Sequence, residues 1–158
     1  MLTHSSIFEL FSEIAIAVAG FAGVAVALGG RDRSFAPLEL VRITSLFIYS
    51  GLVLAGCFGL FALAAAEVGA VTAIRVVSFG EAIGFVAFTA ATGPSAIRNT
   101  RPNESWVPFA VIGTYAAIVL LCLVNGLVVV REWPLIVAFS ITILLSLWIF
   151  LRLLTHRS

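Results

Sequence analysis

Five stretches of the chain are apolar almost without interruption, and polar clusters separate them. A helix needs about 20 apolar residues to cross a hydrocarbon core of ~30 Å, and each stretch is that long. The first, over about 8–28, reads FELFSEIAIAVAGFAGVAVAL and runs into GGRDRS, where paired glycines and alternating charges stop it. The second covers about 39–66 and opens just after Pro37, a place where proline is well tolerated. The third is expected over about 70–92, ending at Gly93-Pro94. The fourth, about 106–130, is entered through WVP and closed by Arg131-Glu132, and the fifth is about 133–153.

The segments EVG and REWP leave almost no room between helices two and three and between four and five, which predicts two antiparallel hairpins. The other two connections, GGRDRSFAPLE and GPSAIRNTRPNES, are longer and polar, and no soluble domain fits anywhere. The reading is one all-α domain over 1–158: a polytopic membrane bundle of five transmembrane helices.

Small residues recur along these helices at four-residue intervals. Helix one carries Ala15, Ala19, Gly23 and Ala27; helix two carries Gly51, Ala55 and Gly59; helix three carries Gly80 and Gly84. Lipid gives no hydrophobic force between helices, so association relies on close backbone approach through such seams. They serve packing within the chain or between copies of it.

Composition agrees with the pattern. Hydrophobic residues make up 61% of the 158 and charged residues 11%. A soluble domain carries about 25% charged residues, so this chain lacks the polar groups to coat a water-facing surface. Its direct partner is the lipid bilayer, and nothing in it suits nucleic acid. All nine basic residues are arginine. Without lysine, a retinal Schiff base is excluded. His4 and His156 lie near the ends of the chain, away from any site for a haem or chlorophyll inside the membrane. Cys57 and Cys122 stand alone in apolar runs, with no metal or redox spacing around them. No cofactor and no metal are expected.

Orientation follows from arginine. With five spans, Arg31, Arg33, Arg42, Arg98, Arg101, Arg152 and Arg157 share one side, against Arg75 and Arg131 on the other. The positive-inside rule then puts the N-terminus outside and the C-terminus in the cytoplasm. Trp106, Trp133 and Trp148 lie near helix ends, as interfacial anchors do. The sequence MLTHSSIFELFSE has no basic residue before its apolar run and carries Glu9 and Glu13 there, the reverse of a signal peptide, so the first segment is expected to stay in the mature protein. The sequon Asn103-Glu104-Ser105 falls on the cytoplasmic side of this arrangement, where it would be inert. The arginine-only basic set and the abundance of Ala, Val and Gly suggest a bacterial inner membrane.

The candidate chemistry lies in the few charges inside the spans. Arg75 and Glu81 are about 9 Å apart along helix three and about 240° apart around it. If helix one enters near Phe8, then Glu13, Arg75 and Asn125 fall in one layer on three helices. An ion pair Glu13–Arg75, buttressed by Asn125, would make each tolerable, and Glu9 shares the face of Glu13. Glu81 lies near the midplane, on a face with Ser78, Phe85, Phe88 and Thr92, and cannot easily reach Arg75. Tyr49, Ser50, Ser140 and Thr142 are the polar residues at similar depth, and an acid with no cation there is expected to be uncharged. It is either a working residue or a packing device.

Two classes of function fit. In the first, the protein is an oligomeric ion channel or proton-coupled transporter, using Glu81, Glu13 and Glu9 as transport or ion-contact residues; five short helices barely enclose a path, so a pore is expected at a symmetry axis between copies. In the second, it is a non-catalytic accessory, assembly or anchoring subunit that packs against a membrane protein partner. An enzyme is not expected: no nucleophile elbow, HExxH, Walker A or GxGxxG occurs.

Overall fold

The computed structural model describes residues 4–29, 37–99 and 106–155. Arg31, Arg33, Arg101, Arg157, His156, the sequon at 103–105 and the side chain of Trp106 lie outside the described residues. Five helices account for nearly all of the rest: α1 (Ser5–Gly29), α2 (Pro37–Ala65), α3 (Ala70–Asn99), α4 (Trp106–Val124) and α5 (Glu132–Thr155). All five are long and apolar enough to cross a membrane. Their outer surfaces carry large apolar side chains, among them Phe21, Ile83, Phe109 and Leu144, each more than 60% exposed. A water-facing surface would not present such a coat. The chain is a small multi-pass integral membrane protein.

Seven hydroxyl groups are satisfied inside their own helices. Ser45, Thr89, Thr92, Thr114, Ser140, Thr142 and Ser146 each donate to a carbonyl one turn back, at 2.7–3.0 Å. In lipid this removes a polar group that would otherwise need a partner.

Both expected hairpins are present, and each closes on a left-handed residue that is not glycine. At the α2–α3 turn the N–H of Val68 donates to the Leu63 carbonyl (2.9 Å) and that of Glu67 to Ala64 (3.1 Å). This is a Schellman ending, with Glu67 at φ 58° in the place glycine usually takes. The α4–α5 turn is built differently. Helix α4 widens into a π-helical turn over Asn125–Val129, and Val130 follows at φ 45° with its N–H on the Asn125 carbonyl (2.8 Å). The side chain of Asn125 then accepts from the N–H of Arg131 (3.0 Å), closing the turn from inside.

The end of α3 differs from the sequence expectation. Helix α3 does not stop at Gly93-Pro94 but runs on to Asn99 with Pro94 inside it. Proline also disfavours helix by crowding the Cβ of the residue before it, and Gly93 has none. What remains is the hydrogen bond that the Pro94 nitrogen cannot make to Ala90 and the crowding of the Ala90 carbonyl by the proline ring.

Helix α2 is central, packing against α1, α3 and α5, while α4 lies mainly on α3. The α2–α3 hairpin has a tight register: a Cβ on Gly59 would meet Val77 at 3.3 Å, and one on Gly84 would meet Leu52 at 2.5 Å. Two layers of core result. Toward the end where α1 begins, Phe8, Val53, Leu60, Val77, Leu135 and Phe139 interlock. Toward the other end Tyr49, Phe85, Phe88 and Tyr115 form an aromatic cluster with ring centres 5.4–6.4 Å apart. The amino end is pinned by His4, whose N–H and Nδ1 both meet Glu132 Oε2 at the start of α5 (2.9 and 2.8 Å).

Candidate membrane-embedded acidic site

Glu81 is 4% exposed and lies where α2, α3, α4 and α5 converge. Its place exists because Gly56, opposite it on α2, has no side chain. A Cβ at Gly56 would stand 2.6 Å from Glu81 Oε1 and against the Phe139 ring. The thiols of Cys57 on α2 and Cys122 on α4 are free and buried in the same bundle. Phe139 of α5 completes the enclosure, and the rings of Phe8 and Phe11 on α1 meet it edge-on, with centres 6.2 and 5.9 Å away.

The hydroxyls expected near Glu81 do not serve it. Ser140 and Thr142 donate to Ile136 and Ala138 of their own helix. Tyr49 Oη, Ser50 Oγ and Glu81 Oε2 are all buried and have no hydrogen-bond partner among the described residues. The carboxyl is therefore shut away from its polar neighbours as well as from Arg75. The shared face read from the sequence is present: Ser78, Phe85 and Phe88 are buried with Glu81, and Thr92 is half-buried.

The layer of Glu13, Arg75 and Asn125 does not assemble. Asn125 is fully buried and donates to Ser78 Oγ at 2.9 Å, so its partners are α3 and the α4–α5 turn. Glu13 and Arg75 are both exposed, and they form no ion pair with each other. The reason is where α1 begins. It starts at Ser5 rather than Phe8, which sets Glu13 nearly a turn deeper than the expected boundary allowed. Contact runs from Phe8 and Phe11 through Phe139 to the Gly56 niche, so the stretch of α1 that carries Glu9 and Glu13 packs beside the level of Glu81. Arg75 lies six residues nearer the α2–α3 turn, about 9 Å from that level.

Glu9 and Glu13 are exposed, as are Ile16, Gly20 and Val24, while Phe8, Ala15, Val18 and Ala22 are buried. The two acids thus belong to the face of α1 that points away from the bundle, and α1 is the least enclosed of the five helices. The glycines divide in the same way. Gly84 and Gly59 seat neighbouring helices, Gly23 lies beside Phe47 at 4.0 Å, and Gly51 and Gly80 are exposed with open space where a Cβ would go. Two close approaches fall outside the four-residue seams: Gly56, and Gly126, where a Cβ would meet the Phe79 ring at 3.1 Å.

No grouping of His, Cys, Asp and Glu fit for a metal ion occurs among the described residues. What the arrangement offers is one carboxyl buried within the protomer and two presented outward from α1. No known family model, characterised protein or solved structure matches the chain.

Proposed function

We propose that the protein is the subunit of a homo-oligomeric ion channel or proton-coupled transporter, in which the outward faces of α1 from several copies meet around an axis along the membrane normal. The observation that carries this reading is the placement of Glu9 and Glu13: exposed, inside a membrane-spanning segment, on the helix least covered by its own bundle. Ionisable groups at such depth are expensive in hydrocarbon and are found against protein or water. Copies of α1 around an axis would supply both, and rings of acidic side chains favour cations. Gly20, exposed and unobstructed, allows the helices to approach closely.

In this reading Glu13 and Glu9 contact the permeating ion or proton, Glu81 tunes or gates the bundle from within, and the protein has no catalytic step. The arginine distribution supports an N-terminus outside and a C-terminus in the cytoplasm, and the composition supports a bacterial inner membrane. The test is flux of protons and monovalent cations in proteoliposomes, with Glu13→Gln and Glu9→Gln beside the wild type. Wild-type flux that falls at least ten-fold in Glu13→Gln supports the pathway. A folded wild type that passes no ions sinks it.

The second reading is an accessory or anchoring subunit whose α1 face docks on a different membrane protein. The burial of Glu81 behind Gly56 and Phe139 favours it, because a carboxyl enclosed by its own bundle can serve packing alone. A protein that stays monomeric when pure, yet loses its partner on Glu13→Leu substitution, would decide for this reading.

A further inference from the structure

At the end of the bundle away from His4 and Glu132, a cleft of about 90 Å³ opens between α2, α3, α4 and α5. Its lining includes two arginines, Arg42 from α2 and Arg152 from α5. The Arg152 guanidinium lies 4.9 Å from the centre of the Trp148 ring, which also lines the cleft. Charge at this end is lopsided among the described residues: Arg42, Arg98 and Arg152 face a single acid, Glu39. Arg42, Glu39 and Arg152 each already make contacts within the protein, so an anion arriving here would meet arginines held in place by other interactions.

The cleft does not end at its own walls. Thr89, Gly93, Ile112 and Tyr115 also form one side of a second depression, which runs between α3 and α4 past Val86 and Leu120 to Leu123. The hydroxyl of Thr89 is taken up by the Phe85 carbonyl (2.7 Å), leaving this groove apolar. From Ile112 to Leu123 it extends for about 16 Å at 1.5 Å of rise per residue. One leaflet of a ~30 Å hydrocarbon core is about 15 Å deep. A groove one leaflet long, open sideways to lipid and joined to a pocket with two arginines, has the form of a phospholipid with a negative headgroup.

We propose that the α3–α4 groove and the adjoining cleft bind an anionic phospholipid, its phosphate between Arg42 and Arg152 and an acyl chain along Ile112–Leu123. Basic pockets between helices at a membrane surface recognise acidic headgroups in this way. Gly93 marks the passage between the two parts. It is buried, and a Cβ there would meet Thr89 at 3.9 Å, ordinary contact, so a larger side chain would project into the passage without a backbone clash.

The test uses the full chain in neutral detergent, offered dioleoyl phosphatidylglycerol or dioleoyl phosphatidylcholine and read by native mass spectrometry and by the midpoint of thermal unfolding. Phosphatidylglycerol is expected to stay bound and raise the midpoint, and phosphatidylcholine to do neither. Arg42→Gln and Arg152→Gln should each weaken phosphatidylglycerol about five-fold, and Gly93→Leu should weaken it with both arginines in place. Equal retention of the two lipids by the wild type overturns the proposal, whatever the variants do. So does an arginine double variant that keeps the wild-type preference. Soluble glycerol phosphate should fail to compete; competition as strong as that of the lipid would reduce the site to a simple anion pocket and overturn the lipid assignment.

Discussion

Replacing Gly56 by alanine would set a methyl group against the Phe139 ring and 2.6 Å from Glu81 Oε1. Alanine favours helix over glycine by nearly 1 kcal/mol, while forcing an extra carbon into a packed core costs typically 1–3 kcal/mol. The second effect should win, because the Phe139 ring is rigid and packed in the core and cannot swing aside as the Glu81 carboxyl could. Gly56→Ala is therefore expected to lower stability in detergent by about 1–2 kcal/mol, measured by reversible unfolding. Combining it with Glu81→Ala should cost less than the sum of the two single changes, since the shared space is relieved. Strict additivity would show that the glycine and the acid do not share a niche. Glu67 makes the opposite case. It is exposed and left-handed at φ 58°, in a Schellman position that suits glycine. Glu67→Gly should stabilise the α2–α3 hairpin by about 1 kcal/mol, seen as a higher unfolding midpoint.

At the scale of helices, Asn125 shows how one amide can hold three elements. It donates to Ser78 on α3 and accepts from the Arg131 N–H, on the turn between α4 and α5. Asn125→Leu leaves both partners buried or half-buried without that bond, and each such loss costs about 1–3 kcal/mol. A fall of about 3 kcal/mol in unfolding free energy is expected, while Asn125→Asp, which can still accept from Arg131, should lose less. The existence of five helices could be read from the sequence because lipid demands length and continuity, and these leave an unmistakable pattern. The extent of α3 beyond Pro94 could not, since it depends on Gly93 having no Cβ to crowd the proline ring. The widening of α4 at Asn125–Val129 has no signature in hydropathy. The depth of Glu13 is not legible in the sequence because it depends on the first turn of α1, where the polar residues Ser5 and Ser6 hide the helix start. Gly56 was within reach: it precedes Val68 by about as many residues as Glu81 follows it, so the short hairpin already pairs them. Seams sought at four-residue spacing along single helices pass over such a pairing across two.

For the molecule as a whole, what remains is how the outward acids of α1 are covered. An axis along the membrane normal keeps every residue at its own depth, so the copies of Glu13 would come together at one level and those of Gly20 at another, about 10 Å away at 1.5 Å per residue. With Cys57 and Cys122 replaced by serine or alanine, Gly20→Cys then becomes a reporter of the axis. Gly20 is exposed with nothing within 4 Å of its would-be Cβ, so the new thiol disturbs nothing in its own protomer. Disulfide formation requires Cα atoms within about 7 Å, a distance that only a close α1–α1 contact supplies. Mild oxidation in native membranes should convert Gly20→Cys to dimers on a denaturing gel. Ala22→Cys, whose site is fully buried in its own bundle, should stay monomeric. If both remain monomeric while the purified protein is oligomeric, the axis lies at another face, and Gly80 on α3 becomes the next position to probe. If the purified protein is monomeric as well, Glu9 and Glu13 need a different membrane protein to cover them, and the accessory reading gains what the channel reading loses.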